Sequence, residues 1–112
     1  MSCIFCKIIN KEISSKKVYE DDDMIIIHDI NPQAKKHYLM IPKEHYADIE
    51  EMSVGQAVIL GKCIKTLGKL TKVLGLENGF RLVSNKGFDA CQSVPHLHIH
   101  ILGGDLLSEK MC

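Results

Sequence analysis

The sequence predicts an α+β fold: a mostly antiparallel sheet of five strands with one short and one long helix packed on one of its faces. Three observations lead there. The chain has 112 residues, 46% hydrophobic and 25% charged, proportions that suit one globular domain over residues 1–112 with a sizeable core. Its patterned stretches follow the order short helix, three strands, long helix, two strands. The strand–helix–strand alternation of a doubly wound parallel sheet is missing from that order.

Cys3 to Asn10 places Ile4, Phe5 and Ile8 near helical spacing, which predicts the short helix. Lys16–Glu20 and Met24–Asp29 read as two strands joined by Asp21-Asp22-Asp23, a solvated hairpin tip. Asn31-Pro32-Gln33 is a loop, because proline biases its predecessor away from helix. His37–Pro42 is the third strand, and Lys43–Asp48 predicts a short helical turn.

Ser53 is a good N-cap for the long helix, which should run to about Leu74, before Gly75. Ala57, Leu60, Gly61, Ile64, Leu67 and Leu74 mark its apolar face, and Gly61 and Gly68 predict close approach to another element. Lys62, Lys65, Lys69 and Lys72 form the opposite, solvated face. Phe80–Ser84 is the fourth strand, Asn85–Ser93 a glycine-containing loop, and His96–Leu102 the last strand, followed by Gly103-Gly104 and a tail.

Composition narrows the function. Fourteen basic and fourteen acidic residues balance, so no electrostatic footprint for nucleic acid or an anionic membrane exists. No apolar run approaches the ~20 residues of a membrane span. Met1-Ser2-Cys3 leads straight into patterned sequence without a signal peptide. Five cysteines, an odd number irregularly spaced, do not form a disulfide framework, and a reducing cytoplasm is the expected compartment.

The chemistry concentrates between Ser93 and Gly104, Ser-Val-Pro-His-Leu-His-Ile-His-Ile-Leu-Gly-Gly. His96, His98 and His100 alternate with Leu97, Ile99 and Ile101, so on a strand the imidazoles share one face and the aliphatics the other. A single histidine there is ordinary; three in register point to chemistry. Strand rise puts neighbouring imidazoles ~6.6 Å apart and the outer pair ~13 Å apart. Two could ligate one metal, but three cannot close around an ion with ~2 Å bonds. The middle residue, His98, is best placed as a nucleophile supported by its neighbours.

This stretch resembles the signature of the histidine triad (HIT) family of nucleotide hydrolases and transferases, and with Ser93 and Leu-Gly-Gly included it is most like the Hint branch. The resemblance implies the same fold, usually as a homodimer, and cleavage at the α-phosphate of a purine nucleotide conjugate such as a nucleoside phosphoramidate. By that resemblance His98 attacks the α-phosphorus to give a nucleotidyl-histidine, His100 and His37 line the phosphate, and Ser93 stands beside the leaving group. Asp29 matches the carboxylate that holds the ribose hydroxyls, although a strand-end cap explains it equally well. Ile4, Phe5, Ile27 and His28 match the base pocket, and Asn85 a residue near the phosphate. With no tryptophan and few aromatics, the base would be gripped by aliphatic contact.

Cys3-x-x-Cys6 is the second constellation: half a zinc site, a redox motif or chance. The resemblance implies a structural zinc on Cys3, Cys6, His45 and His96, with no catalytic metal. Cys63 should be a packing residue, Cys91 lacks an orienting partner, and Cys112 is a terminal thiol without a role. Two other readings compete. One is a metal-dependent enzyme built on His-x-His, which metal removal would abolish; the other is a non-catalytic nucleotide-binding module.

Overall fold

The computed structural model describes residues 3–110; Cys112 lies outside them. Helix α1 (Ile4–Ile9) is followed by strands β1 (Lys17–Glu20), β2 (Met24–His28) and β3 (Lys36–Pro42). Helix α2 (Val54–Lys69), strand β4 (Phe80–Val83), a 3-10 turn (Phe88–Ala90) and strand β5 (Ile99–Gly103) complete the order. The strands form one five-stranded sheet in the order β1-β2-β3-β5-β4, and every neighbouring pair is antiparallel.

The two helices lie on opposite faces of the sheet, not on one. Met24, Ile26, Tyr38, Met40, Ile99 and Ile101 pack with Cys63 and Leu67 of α2. The alternate residues Ile25, Ile27, Leu39 and Ile41 pack with Cys3 and Phe5 from the α1 end. This explains why β2 reads Met-Ile-Ile-Ile without alternation: a strand covered on both sides has no polar face. Burial of all four side chains agrees.

Other boundaries differ for local reasons. α2 starts where expected, because Ser53 Oγ accepts from the Gln56 N–H (3.1 Å) while Gln56 Oε1 accepts from the Ser53 N–H (2.8 Å), a reciprocal capping box. It ends at Lys69; the Leu70 N–H turns back to the Leu67 carbonyl, and tighter turns carry Leu74 and Leu76 into the core. Gly61 and Gly68 meet nothing within 4 Å, so they are exposed rather than sites of close approach. Cys63 is buried in the core as expected, and the lysine face is solvated.

Residues 43–48 form no helical turn. They run as an irregular segment that buries Tyr46 and lets its carbonyl accept from the Leu97 N–H (2.7 Å). Among the acidic tip residues, Asp21 organises the hairpin: its carboxylate accepts from the Asp23 and Met24 N–H groups and the Tyr19 hydroxyl. The last strand begins at Ile99, so His96 and His98 precede the ladder.

Gly103 closes β5 where a Cβ would lie 2.7 Å from Leu76 Cδ2 and 3.0 Å from the Gly79 carbonyl. Leu76 is fully buried and has nowhere to swing. Gly103→Ala should therefore destabilise the protein by about 1–3 kcal/mol through overpacking, read as a lower urea midpoint. An unchanged midpoint would mean that this corner has slack.

Candidate functional site

Register decides which side chains meet. β3 and β5 pair Leu39 with His100 and His37 with Leu102, and β2 pairs Ile27 with Leu39. Ile27, Leu39 and His100 thus lie in a row on the face that α1 partly covers. Beyond α1 that face is open, leaving a cleft of about 1180 Å³. His98, His100, His37, Ser93, Asp29, His28, Ile27, Ile4, Phe5 and Asn85 all line it. His96 faces away, fully buried, with Cys3, Cys6 and His45. The alternating histidines therefore divide between two places, because the backbone at His96 has not yet joined the sheet.

His98 Nδ1 lies 2.8 Å from the His96 carbonyl oxygen. A carbonyl only accepts, so Nδ1 carries a proton, and in the neutral tautomer Nε2 keeps its lone pair. Phe5 packs its ring against His98 at 4.9 Å and steeply tilted, which fixes the imidazole in plane. The ring is thus oriented from both sides at the wall of an open cleft.

The neighbouring pair is ordered by the same reasoning. The Gln33 N–H donates to His37 Nδ1 (2.9 Å), so a neutral His37 carries its proton on Nε2. That Nε2 is 2.9 Å from His100 Nδ1 and 3.4 Å from Asp29 Oδ2. His100 Nδ1 accepts, and its own proton must sit on Nε2. A directed chain results: backbone, His37, His100, cleft. Burial pushes the His37 imidazole below its ordinary range, against the pull of Asp29. Burial also lowers His100, helped by its neighbours His98 and His37 and opposed by Asp29. Both are therefore neutral donors at pH 7.

Asp29 caps and faces the cleft at once. Its Oδ1 accepts from the Asn31 N–H (2.7 Å), and Oδ2 points to the His37–His100 pair, 3.8 Å from His100 Nδ1. Asp29, His37 and His100 are close enough to surround a cation. However, Gln33 already occupies His37 Nδ1, so a metal on Nε2 would strip the ring of its last proton. His37 and His100 form a proton-ordered hydrogen-bond pair with the Asp29 carboxylate beside it.

Cys3, Cys6, His45 and His96 are different. Their ligand atoms all lie within 4.8 Å of one another: Cys3 Sγ to His96 Nδ1 3.4 Å, Cys6 Sγ to His45 Nδ1 3.2 Å and to His96 Nδ1 3.6 Å, and His45 Nδ1 to His96 Nδ1 3.1 Å. Bonds of about 2.0 Å to nitrogen and 2.3 Å to sulfur set the edges of a tetrahedron at about 3.3–3.8 Å. The group is already near that shape. His96 Nε2–H donates to the Pro42 carbonyl (2.8 Å), which leaves Nδ1 free as a ligand and supplies the outer partner such ligands use. Four soft and borderline donors in this geometry could hold a divalent cation.

Two residues at the site carry no sequence signal of their own. Gln33 acts through a backbone N–H, which any residue but proline supplies. Gln92 staples the loop before His96: its Oε1 accepts from the Gly87 N–H (3.0 Å), and its Nε2 donates to the carbonyls of Ala47 (2.8 Å) and Val94 (3.1 Å). It directly precedes Ser93. Cys91 also lines the cleft, in a left-handed backbone conformation.

Comparison with known proteins places this geometry. A family model described as the HIT domain matches residues 10–107. A protein named HitA from Neisseria gonorrhoeae is 43% identical over 102 residues, covering 91% of this chain and 95% of its own. The solved structure of a HIT family hydrolase from Clostridium thermocellum superposes with a TM-score of 0.92 at 46% identity, over 99% of this chain and 97% of that one. A histidine triad nucleotide-binding protein from Candida albicans gives 0.80 at 35% identity, over 99% and 87%.

The depressed imidazoles carry a pH dependence. An unfolded histidine titrates near about 6.5, above the values of His37 and His100 in the fold. Between these values the unfolded chain binds more protons, so their contribution to stability is complete above about pH 6.5 and is lost as pH falls through the folded values. The urea midpoint should drop between about pH 7 and 5 at constant ionic strength, and drop less in His100→Asn. An equal drop in both proteins would remove His100 as the cause.

Proposed function

The chain belongs to the HIT domain family, and from that premise we propose that it is a hydrolase that cleaves the α-phosphate bond of purine nucleoside phosphoramidates and related nucleotidyl conjugates. The observation that carries this reading is the 2.8 Å contact of His98 Nδ1 with the His96 carbonyl, which aims the Nε2 lone pair into a cleft lined by His100, Ser93 and Asp29. The nucleotide-binding and hydrolase names of the Candida albicans and Clostridium thermocellum proteins agree with it.

The substrate lies along the cleft with its base against Ile4, Phe5, Ile27 and His28 and its ribose hydroxyls on Asp29. His98 Nε2 attacks the α-phosphorus as the bond to the leaving amine breaks, giving a nucleotidyl-histidine. The Nδ1–H to the His96 carbonyl stabilises the positive charge that grows on the ring. His100 Nε2–H, held by His37, donates to a phosphate oxygen, and Asn85 lines the same cleft. An amine leaves from phosphorus only as it gains a proton. The Ser93 hydroxyl hydrogen-bonds that nitrogen and relays to it a proton taken up from solvent. Water then attacks the phosphorus as the bond to His98 breaks, which releases the mononucleotide, returns a proton to solvent and frees His98.

We assign zinc to Cys3, Cys6, His45 and His96 on the strength of their near-tetrahedral donor set. Bound there, zinc supplies a rigid tie between α1 and the segment before β5, outside the path of the phosphate. A homodimer fits the surface: β4 is an unpaired sheet edge, and Val54, Val58 and Ile64 on α2 are 84%, 62% and 41% exposed. Each is the kind of surface that a second copy covers.

His98→Ala should lower kcat for an adenosine phosphoramidate by at least about 10³-fold while mononucleotide affinity changes little. Mass spectrometry of quenched wild type should find a nucleotidyl adduct on His98. An adduct on Cys91, or retained turnover in the variant, would overturn the mechanism.

A further inference from the structure

The Cys/His group is joined to the cleft by three short connections. The carbonyl of His96 is the acceptor that orders His98. The carbonyl of Tyr46, the residue after His45, holds the Leu97 N–H at 2.7 Å. Phe5 stands between Cys3 and Cys6 in the chain and sets its ring against both His96 (5.9 Å) and His98 (4.9 Å). Whatever alters the two thiols is therefore felt at the nucleophile and at the wall of the base pocket.

The thiols are also placed to react with each other. Cys3 is the N-cap of α1 and Cys6 lies one turn later, with the Cys6 N–H on Cys3 Sγ at 3.4 Å. Residues three apart on a helix share a face and have Cα atoms about 5 Å apart, within the span of about 4.4–6.8 Å that a disulfide bridges once its Cβ atoms draw in to about 4 Å. Their sulfur atoms lie within 4.8 Å. Cys3 is buried but Cys6 is only half-buried, which gives an outer thiol for attack and an inner one to resolve it. Cys63 is buried in the other core layer and joins neither group.

We propose that Cys3 and Cys6 are a peroxide-sensitive dithiol whose closure switches the cleft off, a function that rests on the nucleophile assignment above. The Cys6 thiolate attacks a peroxide oxygen, breaking the O–O bond to give a sulfenic acid and hydroxide. The Cys3 thiolate then displaces hydroxide from that sulfur and forms the disulfide. The two sulfur atoms lose two electrons in all, and the peroxide is reduced to two hydroxides, which the buffer protonates to water. A cation held by the four residues loses two of its ligands and leaves. His96 and His45 are then untied, and with them the carbonyl that orders His98 and the helix that carries Phe5.

The test uses full-length protein with Cys91→Ser and Cys112→Ser, purified under reducing conditions without chelator. Hydrogen peroxide is titrated in while four quantities are followed: intact mass with peptide mapping, zinc released to a colorimetric chelator, melting temperature, and phosphoramidate kcat/KM. Expected are a mass loss of two hydrogens mapped to Cys3–Cys6, about one zinc released per disulfide, a lower melting temperature and at least a tenfold fall in kcat/KM. Reductant with added zinc should reverse all of them. Zinc-bearing protein that closes the disulfide with no change in rate overturns the switch and leaves the metal assignment standing. Protein that contains no zinc yet loses rate on closing the disulfide supports the dithiol switch and overturns the metal assignment. Sulfinic acids in place of the disulfide overturn the switch.

Discussion

Residue 96 ties the molecule together. Its side chain closes the group formed with Cys3, Cys6 and His45, its Nε2–H is satisfied by the Pro42 carbonyl at the end of β3, and its own carbonyl orders His98. An imidazole this deep must be neutral and fully hydrogen-bonded, because burial raises the cost of its charge. Those requirements fix the backbone just before β5 more tightly than sheet pairing, which begins only at Ile99. The position of the nucleophile is thus a consequence of how a neighbouring side chain is satisfied.

From there the site is built of rings whose protons are assigned by their hydrogen bonds. Two backbone groups, the His96 carbonyl and the Gln33 N–H, set the tautomers of three imidazoles. Because burial holds His37 and His100 below their ordinary range, the cleft offers an anion oriented donors without fixed positive charge. Such donors are preorganised for charge that shifts from one phosphate oxygen to another during attack. Gln92 completes the frame by joining the segment that carries Ala47, beside His45, to the loop that carries Ser93.

Much of this was legible in the sequence where the signal is local. Apolar patterning gave the strands, Ser53 gave the start of α2, and His-x-His-x-His gave the candidate site. What was not legible depends on long-range packing. Nothing within Cys3–Asn10 says which face of the sheet α1 will cover; that follows from β2 and β3 being apolar on both sides. The Lys43–Asp48 segment has the composition of a turn of helix, yet burial of Tyr46 and the pairing of its carbonyl with Leu97 hold it open. The glycines of α2 mark small surface rather than close contact within the chain. The role of Gln33 is invisible to any residue pattern because a peptide N–H performs it.

The central claim is that backbone groups assign the protons of His98, His37 and His100. Nitrogen-15 NMR of the imidazoles at about pH 7.5, where a histidine of ordinary pKa is neutral, reads this directly through the separate shifts of protonated and unprotonated ring nitrogens. The account predicts His98 protonated on Nδ1, and His37 and His100 protonated on Nε2. A His98 protonated on Nε2, with no lone pair facing the cleft, would contradict it.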